Sequence, residues 1–312
     1  MRHISAALAL LTVLAVTSPV GAQTAPTNII REVRATIADQ NFAAGEALID
    51  QYRAVHGVTS EMIAALSWLA RGTYAAGQLD MARQYSVDTH ALAVSALDTG
   101  SLEDDYDLEI ALGAAIETDA LVRAARGDRS SAVYFLEREI ETYRDTKIHK
   151  RLQKNLHLLS LEGQPAPAIV APEYLGSSVQ TLDQLRGNVV LLFFWAHWCP
   201  DCKAQVPAIA RLLEKYRSEG LRVVAPTQRF GYIVSGQDAP PDEELRHIEQ
   251  VQNEHYAFLR NESVPVGDAN LKRYGVSTTP TLVLVDREGI VRLYRPGNLS
   301  EDDLDAAIRE LL

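Results

Sequence analysis

Two cysteines lie three positions apart in the segment "FWAHWCPDCKAQVP", and they are the only cysteines in the chain of 312 residues. Cys199 follows an apolar run that is typical of a buried strand, and Cys202 falls within a predicted helix. A sulfur at the start of a helix faces unpaired backbone N–H groups and the positive end of the helix dipole, and both stabilise a thiolate. The spacing therefore predicts a reactive pair, in which Cys199 attacks and Cys202 resolves the mixed disulfide.

Two other uses of a cysteine pair fit the sequence less well. A structural zinc site needs four ligands, and no second cysteine pair accompanies the first. A structural disulfide would enclose only Pro200 and Asp201, so its loop-closure stabilisation would be slight. The sequence favours redox exchange, with no metal and no cofactor beyond the disulfide of the pair itself.

The elements that position the pair are predicted to alternate between strand and helix. Apolar runs of strand length are predicted to form strands at 188–195, 221–227, 281–286 and 290–296. Helices are predicted at 202–218, 242–260 and 268–274, with a last helix capped by Ser300 and carrying Asp303 at its third position. This alternation predicts an α/β sandwich with a mixed central sheet.

The motifs "FWAHWCPDC" and "VSTTPTLVLVD" resemble those of the thioredoxin superfamily. The wider pattern "GQPAP…TLDQLRGNVVLLFFWAHWCPDC" is similar to its exported, bacterial TlpA/ResA-type branch of thiol-disulfide oxidoreductases. The resemblance covers about residues 163–312. It implies a thioredoxin-like fold and disulfide exchange with protein substrates.

The resemblance also implies roles for residues around the pair. Pro280 matches a proline that is cis in the family and shapes the substrate groove beside the cysteines. Thr279 is implied to offer backbone hydrogen bonds to a substrate peptide, which would bind as an added strand. Trp198 is expected to cover the pair, and Trp198 and Pro200 complete the predicted substrate-binding set.

Two positions depart from the family pattern. Many thioredoxins have a buried Asp where Phe193 stands, and the TlpA/ResA branch often has a Glu where Gln205 stands. Proton transfer to Cys202 is therefore expected to rely on water. The negative charge of Asp201 should oppose the thiolate of Cys199, which favours a reductant or moderate exchanger over a strong oxidant.

A third departure is the connection 227–258, which is longer than a minimal thioredoxin needs. Its "SGQDAPP" loop is interpreted as a flexible surface loop, with a lid or partner contact as the alternative. His197 could tune Cys199, but the sequence favours an exposed surface histidine. Trp195 is assigned to the core.

The residues from 28 to 161 have a helical pattern rich in Ala, Glu, Leu and Arg. Segments of related sequence begin a helix after a small or polar turn at 40–52, 77–89 and 127–139. These predict an all-helical hairpin domain that resembles the tetratricopeptide family, although the intervals do not match that family's regular repeat.

The segment "LEGQPAPAI" is predicted to separate this domain from a second one at 163–312, because Gly163, Pro165 and Pro167 cannot continue a helix. The helical domain could bind a protein partner on a concave surface or only pack against the second domain. Its basic stretch at 143–154 could dock an acidic partner, with a solvated helix as the default.

The N-terminal segment 1–22 has the composition of a secretory signal peptide. Its apolar run from Ala6 to Val16 is too short to span a bilayer. The net charge of −11 argues against nucleic acid as a partner. The sequence predicts an exported protein without stable membrane insertion. The family resemblance, together with the signal peptide, implies a bacterial periplasm.

The leading hypothesis is an exported enzyme that reduces disulfides of protein substrates and exchanges electrons with an upstream redox protein. The second hypothesis is a peroxiredoxin-like thiol peroxidase, because peroxiredoxins share the fold. It is less favoured, since those enzymes need a Thr where Ala196 stands. The third hypothesis is a scaffold whose helical domain recruits proteins. The intact cysteine pair argues against a wholly passive second half.

Overall fold

The structure is a computed structural model that describes residues 28–175, 180–234 and 236–312. The predicted signal peptide at 1–22 lies outside these residues. Within the described ranges, no helix combines the length and the apolar character needed to cross a membrane.

Residues 28–161, here the helical region, contain helices throughout. Their bounds are α1 Ile29–Ala38, α2 Phe42–His56, α3 Ser60–Ala75, α4 Leu79–Ala96, α5 Tyr106–Ala125, α6 Arg129–Thr142 and α7 His149–Ser160. Helices α3 and α5 are the most buried, and small residues such as Ala65 and Ala115 let neighbouring helices approach closely.

The helices are arranged as stacked hairpins. The three related sequence segments begin α2, α4 and α6, as predicted, and Asn41 and Asp128 cap α2 and α6 with their side chains. Each helix contacts the next one in sequence, and α1, α3, α5 and α7 also contact each other in order. Membership of the tetratricopeptide family stays a prediction.

Residues 163–312, here the C-terminal region, alternate between strands and helices. The strands are β1 Glu173–Leu175, β2 Val189–Phe194, β3 Leu221–Val224, β4 Tyr232–Val234, β5 Gln237–Asp238, β6 Val264–Val266, β7 Thr281–Val285 and β8 Val291–Pro296. The α-helices are α8 Pro200–Tyr216, α9 Pro241–His255, α10 Asp268–Arg273 and α11 Glu301–Arg309. The four predicted strands and the predicted helices are all present.

The central sheet has the order β3-β2-β7-β8, with β2 parallel to β3 and antiparallel to β7. All six residues of β2 are buried, because helices cover both faces of the sheet. Leu191 and Phe193 belong to a core shared with α8, α9 and α11, whereas Leu192 and Phe194 pack in a core shared with α10. The predicted mixed α/β sandwich is therefore confirmed.

Two short strands extend this sheet and were not predicted. Strand β6 pairs with β1, and bridges at Val224–Ser263 and Thr227–Val266 place β6 parallel to the chain that continues β3. Three-residue strands give too short a periodic signal to be recognised in a sequence.

The two regions are in close contact along α7. The chain after α7 pairs with the start of β8. The Gly163 nitrogen donates to the carbonyl oxygen of Val291, and the Val291 nitrogen donates to that of Gln164. The His157 ring donates from Nε2 to the carbonyl oxygen of Arg273, at 2.8 Å. A Cβ on Gly275 would lie 2.3 Å from the backbone nitrogen of Lys154. The division at 161–163 stays a prediction, since backbone contacts cross it.

Candidate active site

Cys199 and Cys202 form a disulfide, with their Cα atoms 5.3 Å apart. Cys199 is the N-cap of α8, and its sulfur accepts a hydrogen bond from the backbone nitrogen of Cys202 at 3.0 Å. Pro200 occupies the first helical position, where its missing N–H costs nothing. The predicted placement of one sulfur at the helix start and the other one turn later is confirmed.

The loop before β7 lies directly against this disulfide. The Thr279–Pro280 peptide bond is cis, and the carbonyl oxygen of Thr279 lies 3.5 Å from the sulfur of Cys199. The sheet register explains the proximity: Phe194 at the end of β2 pairs with Thr281 at the start of β7. The structure thus brings together the two motifs that were separated by 80 residues of sequence.

The two tryptophans near the pair have different environments. Trp195 is fully buried and donates from its indole nitrogen to the carbonyl oxygen of Ala225, at 3.1 Å, as expected of a core residue. Trp198 is 44% exposed, and its ring meets that of Phe230 edge to face at 5.5 Å between centroids. Trp198 and Phe230 therefore form an apolar, partly exposed surface, and Trp198 directly precedes Cys199 in the chain.

His197 differs from the sequence-based expectation. It was expected at the surface, but it is only 2% exposed and its Nε2 lies 3.4 Å from a carboxylate oxygen of Glu244. Its ring also meets those of Phe230 and His247 edge to face. Burial lowers the pKa of His197, while the charge of Glu244 acts in the opposite direction. The residue was misassigned because helix α9, which buries it, comes from a distant part of the sequence.

Glu244 also organises the long connection 227–258. Its two carboxylate oxygens accept from the backbone nitrogens of Phe230 at 2.5 Å and Gly231 at 2.9 Å. The following residues form the β4–β5 hairpin. Gly236, Gln237 and Asp238 of the predicted surface loop are exposed, and the flexibility of the loop stays a prediction. Because Phe230 contacts Trp198, this anchored segment forms one side of the surface next to the disulfide.

The two departures from the family pattern are both buried. Phe193 is fully enclosed and packs near the ring of Tyr256. Gln205 makes paired hydrogen bonds with Leu299: its amide nitrogen donates to the carbonyl oxygen at 3.0 Å, and its oxygen accepts from the backbone nitrogen at 2.9 Å. Gln205 therefore holds the loop before α11, a role that requires a donor as well as an acceptor.

Comparison with known proteins identifies the C-terminal region. The Redoxin family model matches residues 161–308. A thiol-disulfide oxidoreductase ResA of Bacillus thuringiensis is 26% identical over 149 residues, which are 48% of this chain and 78% of the relative. A thiol:disulfide interchange protein DsbE of Xylella fastidiosa is 29% identical over 154 residues, covering 49% of this chain and 70% of the relative.

Residues 161–308 belong to the thioredoxin superfamily. They are of the ResA-like type, and the chain is by this relationship an oxidoreductase of the thiol-disulfide class. Among solved structures, a putative DsbE from Chlorobium tepidum is 28% identical, with a TM-score of 0.36 and coverage of 48% of this chain and 96% of that one.

Proposed function

We propose that this protein exchanges dithiol for disulfide with protein substrates through Cys199 and Cys202, in the reducing direction. The observation that best supports this is the disulfide at the start of α8 with the Thr279 carbonyl oxygen 3.5 Å from the Cys199 sulfur. A pair that already closes on itself has the geometry required to accept and release two electrons.

In the proposed reaction the reduced protein attacks with the thiolate of Cys199. A bond forms between this sulfur and one substrate sulfur, and the other substrate sulfur leaves as a thiolate and takes up a proton. Cys202 then loses its proton and attacks Cys199, which releases the second substrate sulfur. Two electrons pass to the substrate, and a dithiol partner protein must reduce the resulting disulfide.

The substrate is proposed to bind across the loop that carries the cis-proline. Thr279 is half-buried and Pro280 is buried, so the loop presents backbone rather than a bulky side chain to the Cys199 sulfur. An extended substrate segment would pair with Thr279 as an added strand. Trp198 and Pro200, which flank Cys199 in the chain, are exposed and would complete the groove.

The proposed reducing direction is supported by the negative charge of Asp201 at the start of α8. Asp201 is exposed in the first turn of α8, where a carboxylate opposes a thiolate on the adjacent Cys199. A less stabilised thiolate makes the reduced form a better electron donor. Export to a bacterial periplasm, through the predicted signal peptide at 1–22, is part of the same proposal.

Insulin reduction with a chemical reductant tests the reaction. Cys199→Ser and Cys202→Ala should each reduce the rate by a factor of about 1,000 or more, since a single remaining thiol cannot complete the exchange. Cys202→Ser should trap mixed disulfides with substrate proteins. Activity that survives both substitutions would discredit the proposal, and a redox potential as oxidising as that of a strong oxidant would reverse its direction.

A further inference from the structure

A cavity of about 640 Å³ lies between the helical region and the C-terminal region. Helices α3, α5 and α7 line one side, and Val276, Ser277 and Thr278 line the other. Thr278 directly precedes Thr279, whose carbonyl oxygen is 3.5 Å from the Cys199 sulfur. The cavity therefore opens next to the loop on which the substrate is proposed to lie.

The cavity is positively charged on a strongly negative protein. Five cationic side chains line it against two acidic ones, Glu109 and Glu117, although the whole chain has a net charge of −11. The cationic residues are Arg71, Lys147, Lys150, Arg151 and Lys154. A concave surface of one sign attracts ligands of the other sign.

Part of this charge is already paired inside the cavity wall. Glu117 accepts from Arg151 Nε at 2.6 Å and lies 3.3 Å from Lys154 Nζ, so these three residues form a partly buried cluster. The two positive charges beside one carboxylate leave the cluster with a surplus of one, and they lower the pKa of Glu117 against the opposing effect of burial.

Arg71 and Lys150 have neutral hydrogen-bond partners. Arg71 donates to the backbone oxygen and hydroxyl of Ser67 and stacks at 3.6 Å over the Trp68 ring. Lys150 donates to the side-chain oxygen of Gln228 at 2.9 Å. Burial, followed by the charge of Arg151, lowers the pKa of Arg71 to about 10, so this guanidinium remains charged at neutral pH. Both cations can accept a carboxylate as a further partner.

Two short stretches of chain connect the cavity with the proposed groove. Thr278 of the cavity wall continues directly into Thr279. Lys150 donates to Gln228, which stands two residues before the Phe230 whose ring meets that of Trp198. Since an extended chain advances about 3.3 Å per residue, roughly five residues beside a substrate cysteine would extend about 16 Å along this loop toward the cavity.

We propose that this cavity binds the carboxylates of an acidic segment flanking the disulfide of a protein substrate. The helical region would then select substrates, while the C-terminal region performs the exchange. This inference rests on the proposed function for its substrate. Its physical basis is the placement of Arg71 and Lys150, from two different helices, beside the loop of Thr279.

Two disulfide peptides of equal length test the inference, one with Asp and Glu around the cysteine and one with Asn and Gln. The wild-type protein should show a ratio of kcat/KM, acidic over neutral, of about ten. The double variant Arg71→Gln, Lys150→Gln should bring the ratio close to one, and so should high salt. Arg309→Gln, which removes an exposed cation from α11 far from the cavity in the fold, is the matched control and should keep the wild-type ratio.

A binding measurement separates failure of this inference from failure of the proposed function. Fluorescence anisotropy measures binding of a cysteine-free acidic peptide without any redox step. Lys147→Glu, at a half-exposed position, should weaken this binding, and it keeps the test available if the double variant does not fold. A protein that reduces neither peptide but binds the acidic one contradicts only the proposed function. Equal binding of this acidic peptide and of a cysteine-free Asn/Gln peptide of the same length, or stronger binding of oxidised glutathione, overturns the inference.

Discussion

The C-terminal region and the helical region build their contributions to the site in different ways. In the C-terminal region, two short motifs supply the disulfide and the cis-proline loop, and one strand pairing brings them together. In the helical region, Arg71 of α3, Glu117 of α5 and Lys150 of α7 meet only because three helices converge. Reaction chemistry is thus encoded locally, whereas the cavity forms only where packing brings Arg71 and Glu117 to the basic stretch at 143–154.

The same difference between locally encoded features and features assembled by packing is found within the C-terminal region. Cys199 and Cys202 are placed by a helix start, but His197 and Phe230 are placed by Glu244 of the long connection. The surface beside the disulfide therefore depends on a buried carboxylate that lies 45 residues further along the chain than Cys199. The predictions below test how far each region depends on such distant contacts.

The largest effect is expected where the two regions touch. Gly275 has a φ of +62°, and a Cβ there would lie 2.3 Å from the backbone nitrogen of Lys154. Gly275→Ala should lower the free energy of unfolding by about 3 kcal/mol, from backbone strain and overpacking together. Urea unfolding followed by circular dichroism measures this change.

The matched control for that substitution is Gly127→Ala. Gly127 has a φ of +87°, and a Cβ there would meet nothing within 4 Å. It should cost only about 1 kcal/mol, from the backbone conformation alone. Equal costs for the two substitutions would show that the regions are less tightly packed than the structure indicates.

The second-largest loss of stability is expected from a substitution of the buried carboxylate of Glu244. In Glu244→Gln the new amide nitrogen would face the backbone N–H of either Phe230 or Gly231, so one of these donors loses its acceptor. The expected cost is about 2 kcal/mol, with a shift in the tryptophan fluorescence that reports the Trp198–Phe230 contact. Glu243→Gln, at the exposed neighbouring position, should change neither quantity.

The third-largest loss of stability is expected from a substitution of Gln205, which stands where the family often has a glutamate. Gln205→Glu keeps the acceptor for the Leu299 nitrogen but removes the donor to the Leu299 oxygen. The free energy of unfolding at neutral pH should fall by about 1 kcal/mol. Gln164→Glu, at an exposed position, is the control, and an equal loss there would contradict a structural role for Gln205.

The smallest effect is a dependence of stability on pH. Because burial lowers the pKa of His197, the unfolded chain, with an imidazole pKa of about 6.5, binds more protons below that pH than the folded chain does. Stability should therefore fall as the pH drops below about 6.5. His197→Gln, which does not titrate, should reduce this loss of stability between pH 7 and pH 5.

His149 and His157 also have pKa values lowered by burial, so the wild-type curve contains their contributions. The difference between wild type and His197→Gln in urea unfolding at pH 7 and pH 5 isolates His197. The same pH dependence in both proteins would mean that His197 does not remain neutral in the folded state.

The elements with strong periodic signals were predicted from the sequence. The continuous apolar run of β2, the helices α2, α4 and α6, and the hairpin of β7 and β8 all lie within a few residues of their predicted positions. The weak signals failed: β1 and β6 are three residues long, and the β4–β5 hairpin lies in a polar loop. Short strands are decided by the backbone partners available in the fold.

By itself, the sequence determined the chemistry of the candidate site. The spacing of Cys199 and Cys202 after an apolar strand is a local property, since one turn of helix sets the distance between the two sulfurs. Tertiary structure alone decided the burial of His197 and the placement of Arg71 in one cavity with the basic stretch at 143–154. Both depend on which distant elements come into contact, and burial and electric field are properties of the assembled neighbours rather than of any one segment.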